Sequence, residues 1–253
     1  MMIAAIVQAR MGSTRLPGKV KKEIVGKPIL WHIIDRLKRA KLIDNIIVAT
    51  TDKEIDKPIL GLAKKLGIAS YAGSEEDVLD RYYQTAKGFG VDVIVRITAD
   101  CPLVDPHVVD KVIRRYLKGD CDYAANTLKQ TYPDGLDAEV FSYAALERAW
   151  EEARWASERE HVTPYIRKNP DKFRLANVEN RVNLSRLRWS VDEKEDLEFV
   201  RQVYKHLYKQ GQTFYMEDIL KLLNKYPDLK RINQGIPSNE GHDKSIREDR
   251  IVK

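Results

Sequence analysis

Cysteine is scarce: Cys101 and Cys121 are the two in 253 residues, and they are not in C-x-x-C spacing. That excludes a disulfide framework and argues against a zinc site. No apolar run approaches the ~20 residues a membrane span needs. The opening run, residues 3–7, is too short for the core of a signal peptide. A soluble, cytoplasmic protein without membrane contact is expected. There is no internal repeat and no low-complexity segment. Also missing is an arginine stripe interleaved with aromatics, so no nucleic-acid partner is expected. Nor is the charge one-sided, since 44 Lys and Arg stand against 38 Asp and Glu, leaving +6. Cations such as Lys38, Arg39 and Lys41 sit beside periodic apolar residues and read as solvated helix faces. A nucleotide or an anionic sugar accounts for the surplus better than a polynucleotide does.

What is present is enough apolar residue, 43%, for a full core at this length. Apolar runs at residues 3–7, 46–49 and 91–97 read as buried parallel strands, with a shorter one at 68–71. Between them lie helical patterns. Leu30, Ile33, Ile34 and Leu37 recur at helical spacing, with Pro28 fitting the first turn. Residues 75–87 and 106–118 also read as helices, the second with Val108, Val109, Val112, Ile113, Tyr116 and Leu117 facing inward. Repeated strand–helix alternation predicts an α/β fold, a mostly parallel sheet covered by helices on both sides.

The second half is less regular. Residues 138–142, 173–178 and 187–191 read as strands, and 144–153 and 158–168 as helices. Residues 196–209 form a helix with Leu197, Val200, Val203, Tyr204 and Leu207 inward. One domain over 1–233 is expected, then a polar tail without periodicity over 234–253.

The string QARMGSTRLPGK, residues 8–19, follows the first strand. In an open α/β sheet, ligands bind beyond the carboxyl ends of the strands. The string fits neither common phosphate motif. Five residues separate Gly12 from Gly18 and Val20 stands where a Walker loop has its hydroxyl; G-x-G-x-x-G is absent. Its chemistry still suits a polyphosphate. Glycines admit backbone N–H groups to anionic oxygens, arginines make forked contacts, and a lysine adds a point charge. Arg10, Arg15 and Lys19 supply three cations within ten residues.

With GKPIL at residues 26–30, this string resembles the signature of sugar nucleotidyltransferases of the cytidylyltransferase kind. That group includes the synthetases of CMP-activated 3-deoxy-octulosonate and of CMP-activated sialic-type acids; the likeness is greatest to the spore-coat polysaccharide branch. It continues through ATTD (49–52), GSEEDVLDRYY (73–83), RITADCPL (96–103), YPDGLDAEVF (132–141), SEREHVTPYI (157–166) and LRWSVDEKEDL (187–197), nearly to the tail.

The resemblance implies a nucleotide-diphospho-sugar transferase-like fold with a smaller dimerisation arm around residues 138–188, and a homodimer. It implies transfer of CMP from CTP to a sugar, an acidic 2-keto sugar or a relative, with pyrophosphate released. Carried over, Arg10, Ser13, Arg15 and Lys19 would bind the CTP phosphates, with Arg10, Lys19 and Asp100 catalytic. Asp100 and Asp192 would hold Mg²⁺, which prefers hard oxygens. Ser74, Asp77 and Thr98 join the nucleotide set, though Ser74 and Asp77 also suit a helix start. Acceptor contacts would come from Asn126, Asp137, Glu139, Glu160, His161 and Arg188. The octulosonate synthetases read Q-G-D-E-P where this chain reads T-A-D-C-P at 98–102, so Thr98 replaces a glutamine able to pair with a base edge.

Two other readings compete. A glycosyltransferase of the related fold would take a nucleotide-diphosphate sugar and often uses D-x-D; Asp120-Cys121-Asp122 has that form. A homologue that keeps the fold but has lost turnover would bind nucleotide alone.

Overall fold

In chain order, the computed structural model builds β1 (Ile3–Gln8), a hairpin of β2 (Glu23–Ile24) and β3 (Lys27–Pro28), α1 (Ile29–Leu37), β4 (Asn45–Thr51), α2 (Lys57–Lys65), β5 (Ala69–Gly73), α3 (Val78–Phe89) and β6 (Val93–Thr98). There follow α4 (Pro106–Tyr116), β7 (Tyr123–Ala125), β8 (Glu139–Ser142), α5 (Tyr143–Glu152), α6 (Ala156–His161), α7 (Pro164–Lys168), β9 (Leu175–Asn177), α8 (Lys194–Leu207) and α9 (Met216–Lys225). Residues 1–237 and 245–253 are described.

Seven strands form one sheet in the order β5-β4-β1-β6-β8-β7-β9. The pairs of β1 with β4 and β6, and of β4 with β5, are parallel, whereas β8 runs antiparallel between β6 and β7. Two antiparallel steps leave β7 parallel to β6. The parallel half is buried on both faces, which is why its strands are continuously apolar. Ala5 and Val7 of β1 face a core built with α1, α2, α4, α8 and α9; Ala4 and Ile6 face another built with α3, α5 and α7.

Residues 138–188 contribute β8 and β9 to this sheet and α5–α7 to the layer over one face. The helix expected over 158–168 is two. Pro164 cannot supply an N–H to the preceding turn, and buried Val162 takes φ 73, a left-handed value that costs a β-branched residue about 1–3 kcal/mol. The strand expected at 187–191 is not a ladder. It makes a single bridge, Arg188 with Asp134, and Val191 N–H donates to the carbonyl of Asp100 at 2.8 Å. Part of the expected tail, 238–244, lies outside the described residues. The rest folds back: Ile251 bridges to Trp155, and Ser157 N–H and Oγ donate to Asp249 at 2.9 and 2.6 Å.

Candidate active site

The parallel strands deliver their carboxyl ends to one edge of the sheet, and the loop after β1 lies across it. The loop is tied down rather than free. Met11 N–H donates to Asp56 at 2.6 Å, and the Met11 carbonyl accepts from Ser13 and Gly18 N–H at 2.9 and 3.0 Å. Leu16 and Val20 are buried. Gly18, at φ 67, makes the left-handed turn that starts the helical turn Lys19–Lys21 and aims Lys19 back under the loop.

Lys19 Nζ lies 2.8 Å from Asp192 Oδ1, 3.5 Å from Asp100 Oδ2 and 3.0 Å from the Val191 carbonyl. Burial works against its charge, but Asp100 and Asp192 outweigh that and hold the ammonium above its ordinary pKa. Burial likewise opposes the charge of Asp100. Lys19, with hydrogen bonds from Thr98 and Cys101, overrides it and keeps the carboxylate below the usual range. Cys101 itself is pushed well up by burial and by Asp100, so it is an inert thiol.

Arg15 reaches Asp192 at 3.1 Å and Glu193 at 3.5 Å. Behind Asp192 stands Arg188, whose guanidinium forks onto buried Asp196 at 2.9 and 3.0 Å and touches Asp192 at 3.1 Å and Asp134 at 3.4 Å. Asp196 also accepts from the N–H groups of Asp192 and Glu193, at 3.0 Å each. This lattice fixes where the Asp192 carboxylate points.

A cavity of about 460 Å³ opens above, lined by Arg10, Ser13, Arg15, Lys19, Asp100 and Asp192 at one side and Gln8, Val78, Arg81 and Thr98 at another. Glu160 and His161 line it too, as do Ser245 and Glu248. A smaller pocket of about 220 Å³ shares Thr98 and His161 with it and adds Arg96, Thr127, Asp137, Glu139, Thr163 and Arg167.

Several expected residues have other work. Asn126 clamps the loop before β8, donating to the Leu136 carbonyl at 2.8 Å and accepting from Ala138 N–H at 2.9 Å; its side chain is buried off both pockets. Arg188 is committed to its carboxylates and is likewise off both pockets. Both therefore shape the site from behind rather than face an acceptor. Ser74 and Asp77 start α3: Ser74 Oγ accepts from Asp77 N–H at 3.0 Å, and Asp77 caps Asp80 N–H at 2.9 Å and pairs with Arg159 at 2.6 Å. Glu139 lines the smaller pocket but is locked by Arg96, Tyr123 and Thr163. Burial alone would raise its pKa; Arg96 and these donors bring it below the ordinary value.

The sequence reading missed Gln8, Val78, Arg81, Thr127, Arg167, Ser245 and Glu248. Val78 and Arg81 are three apart on the inward face of α3, a spacing the pattern carried. Ser245 and Glu248 lie in an aperiodic stretch that carries no such signal.

A cytidylyltransferase family profile matches residues 4–231. The chain belongs to the cytidylyltransferase family. It is 40% identical over 238 residues to an uncharacterized protein of Methanocaldococcus jannaschii, covering 93% of this chain and 96% of that one. It is 34% identical over 233 residues to the spore coat polysaccharide biosynthesis protein SpsF of Bacillus subtilis, covering 89% and 95%. The solved structure of a cytidylyltransferase from Leptospira borgpetersenii superposes with a TM-score of 0.87 at 34% identity, over 94% of this chain and 99% of that one. As in that family, the enzyme here is a cytidylyltransferase of α/β fold. Among the described residues no helix is long and apolar enough to cross a membrane.

Proposed function

We propose that this cytidylyltransferase moves CMP from CTP to a hydroxyl of an acidic 2-keto sugar or a close relative, releasing pyrophosphate, for a surface polysaccharide. The observation that carries the reading is Lys19 held between Asp100 and Asp192 beneath a glycine-containing cationic loop. The triphosphate lies against Arg10, Ser13, Arg15 and Lys19, whose charges match it and offset the charge that collects on the leaving pyrophosphate.

The donor set suits Mg²⁺. Among the described residues no three His, Cys, Asp or Glu side chains could hold a metal ion by themselves. Two carboxylates meet one ammonium here, and Mg²⁺ commonly takes one or two carboxylates, completing its shell with phosphate oxygens and water. Asp100 and Asp192 would hold it, and when bound it neutralises phosphate charge and orients the α-phosphorus. The acceptor enters by the smaller pocket, where exposed Arg167 offers a cation to an acidic group. The polysaccharide context is that of the Bacillus subtilis relative's name. Pairing of two copies through residues 138–188 belongs to the same reading; sedimentation mass tests it.

The glycosyltransferase alternative loses its motif. Asp120 pairs with Arg115 and Asp122 with Arg174, ahead of β7. The β7–β8–β6 register sets Tyr123 level with Ile94, at the amino edge of the sheet and away from both pockets. A homologue without turnover is disfavoured because Lys19, Asp100 and Asp192 are all present and in contact.

Thermal unfolding with Mg²⁺ and, in turn, CTP, UTP, ATP, dTTP and a UDP-sugar tests the reading. A ligand that binds the native state alone raises the melting temperature by mass action. A saturable rise with CTP, followed by pyrophosphate release on adding an acidic sugar, is expected. A rise with the UDP-sugar alone would refute it.

A further inference from the structure

In that reaction the attacking hydroxyl must lose a proton, and most of the groups that could take it already hold partners. Asp100 is engaged by Lys19, Thr98 and Cys101. Glu139 accepts from Arg96, Tyr123 and Thr163. Asp134 takes Ser190 Oγ at 3.1 Å and Arg188 at 3.4 Å. His161 Nε2 is 2.6 Å from Ser245 Oγ.

Asp137 differs from all of them. Among the described residues its carboxyl has no hydrogen bond and no ion pair: Oδ1 is buried without a partner, and the side chain lines the smaller pocket. Arg96 Nε and Thr127 Oγ1, on the wall of the same pocket, are also buried and unpartnered. Unpaired buried polar atoms are rare in folded proteins, and three at one 220 Å³ pocket mark a place built for a polar ligand. That pocket meets the phosphate cavity at Thr98, whose hydroxyl bonds to Asp100. Asp137 therefore stands where an acceptor sugar would meet the α-phosphate.

Resting on the transfer reading above, we propose that Asp137 is the general base of the reaction, taking the proton of the acceptor hydroxyl on its pocket-facing oxygen. The hydroxyl oxygen forms its bond to the α-phosphorus. The bond from that phosphorus to the bridging oxygen breaks, and pyrophosphate leaves with the electron pair. The proton stays on Asp137 until water carries it away.

The surroundings suit the task. Burial, then Asp134, Glu139 and Asp100, hold the Asp137 carboxyl well above the ordinary carboxylate range, against a weaker pull from Arg96. Arg167 and His161, from α7 and α6, face the same pocket, and Thr163 completes that wall. A base so raised is a stronger proton acceptor when ionised, which is what general-base catalysis needs near neutral pH.

The test is the pH profile of pyrophosphate release from Mg²⁺–CTP, from about pH 5.5 to about pH 9.5, with 3-deoxy-manno-octulosonate and N-acetylneuraminate as acceptors. The wild-type rate should climb roughly tenfold per pH unit until Asp137 is ionised. Asp137→Asn should lower kcat by roughly 10²–10⁴-fold and flatten the profile, with the CTP-induced rise in melting temperature unchanged. Asp137→Glu should restore the slope and part of the rate. The asparagine variant keeps the shape and removes an unpaired acid, so it should fold; melting and CTP binding verify this. An Asp137→Asn enzyme that keeps the rising profile, or loses rate through KM alone, overturns the proposal. CTP binding without pyrophosphate from either acid overturns it together with the acceptor class. Absence of CTP binding overturns the transfer reading and, with it, this one.

Discussion

Lys19 Nζ sits 2.8 Å from Asp192, a residue 173 positions further along the chain, and the contact joins the first loop of the sheet to the segment before α8. It has two consequences. The lysine offsets the repulsion of Asp100 and Asp192, and it is pre-aimed at the cavity where a polyphosphate would lie.

Lys19→Met should weaken CTP binding by roughly tenfold to a hundredfold, since charge-assisted contacts to ionised groups contribute about 1.5–3 kcal/mol each. It also removes the cation that faces Asp100 and one of the three around Asp192, so the melting temperature without ligand should fall. Calorimetric titration with CTP reads the first effect and thermal unfolding the second. Unchanged CTP affinity would remove Lys19 from the phosphate site.

The fold was legible where one force dominated. Continuous apolar runs announced the parallel strands, and helical spacing announced α1, α4 and α8. Residues 187–191 misled because an apolar-flanked extended segment looks like a strand whether its N–H groups meet a ladder or, as here, single carbonyls of Asp134 and Asp100. The cations and carboxylates of the site were legible as chemistry after a strand end. Which of them would be consumed by structure was not. Arg188 and Asn126 differ from true pocket residues through partners that lie 4 to 54 and 10 to 12 positions away, and no local pattern encodes the distant pairings.

The D-x-D string offers a clean negative control. Asp120 and Asp122 pair with Arg115 and Arg174 at the amino edge of the sheet. Exposed ion pairs of this kind contribute little to stability. Asp120→Asn and Asp122→Asn should leave pyrophosphate release from CTP unchanged within about twofold. A large loss of rate would return the glycosyltransferase reading to consideration.

Gly135 lies in the loop that carries Asp134 and Asp137. Its φ is 101, and a Cβ there would sit 2.5 Å from Ser190 N and 2.6 Å from Trp189 C. Both neighbours are backbone and cannot swing aside. Gly135→Ala should destabilise by about 3 kcal/mol or more, combining a forbidden φ with overpacking. Because the strain displaces the loop beneath the smaller pocket, turnover should fall further than unfolding alone explains. Denaturant unfolding and the rate at a temperature well below melting separate the two.

His32, on α1, connects pH to stability. It is buried, its Nε2 donates to the Ile24 carbonyl at 2.7 Å, and its ring packs on Tyr204 with centroids 4.4 Å apart. Burial, aided by Arg36, lowers its pKa to about 4, against a hydrogen bond to Ile24 that works the other way. The sign follows. The unfolded chain takes a proton on this histidine near its ordinary value of about 6.5, while the folded protein resists until about pH 4. Stability is therefore fully present above the unfolded value and falls as pH drops from about 6.5 toward about 4, below which this contribution stays constant. Between pH 7 and pH 5 the loss should be about 2 kcal/mol. His32→Gln should be less stable than wild type at pH 7 but should lack this slope, and the difference between the two proteins cancels what the carboxylates share. Urea unfolding of both at pH 7 and pH 5 measures it; parallel pH dependences would mean that His32 is not the group that titrates.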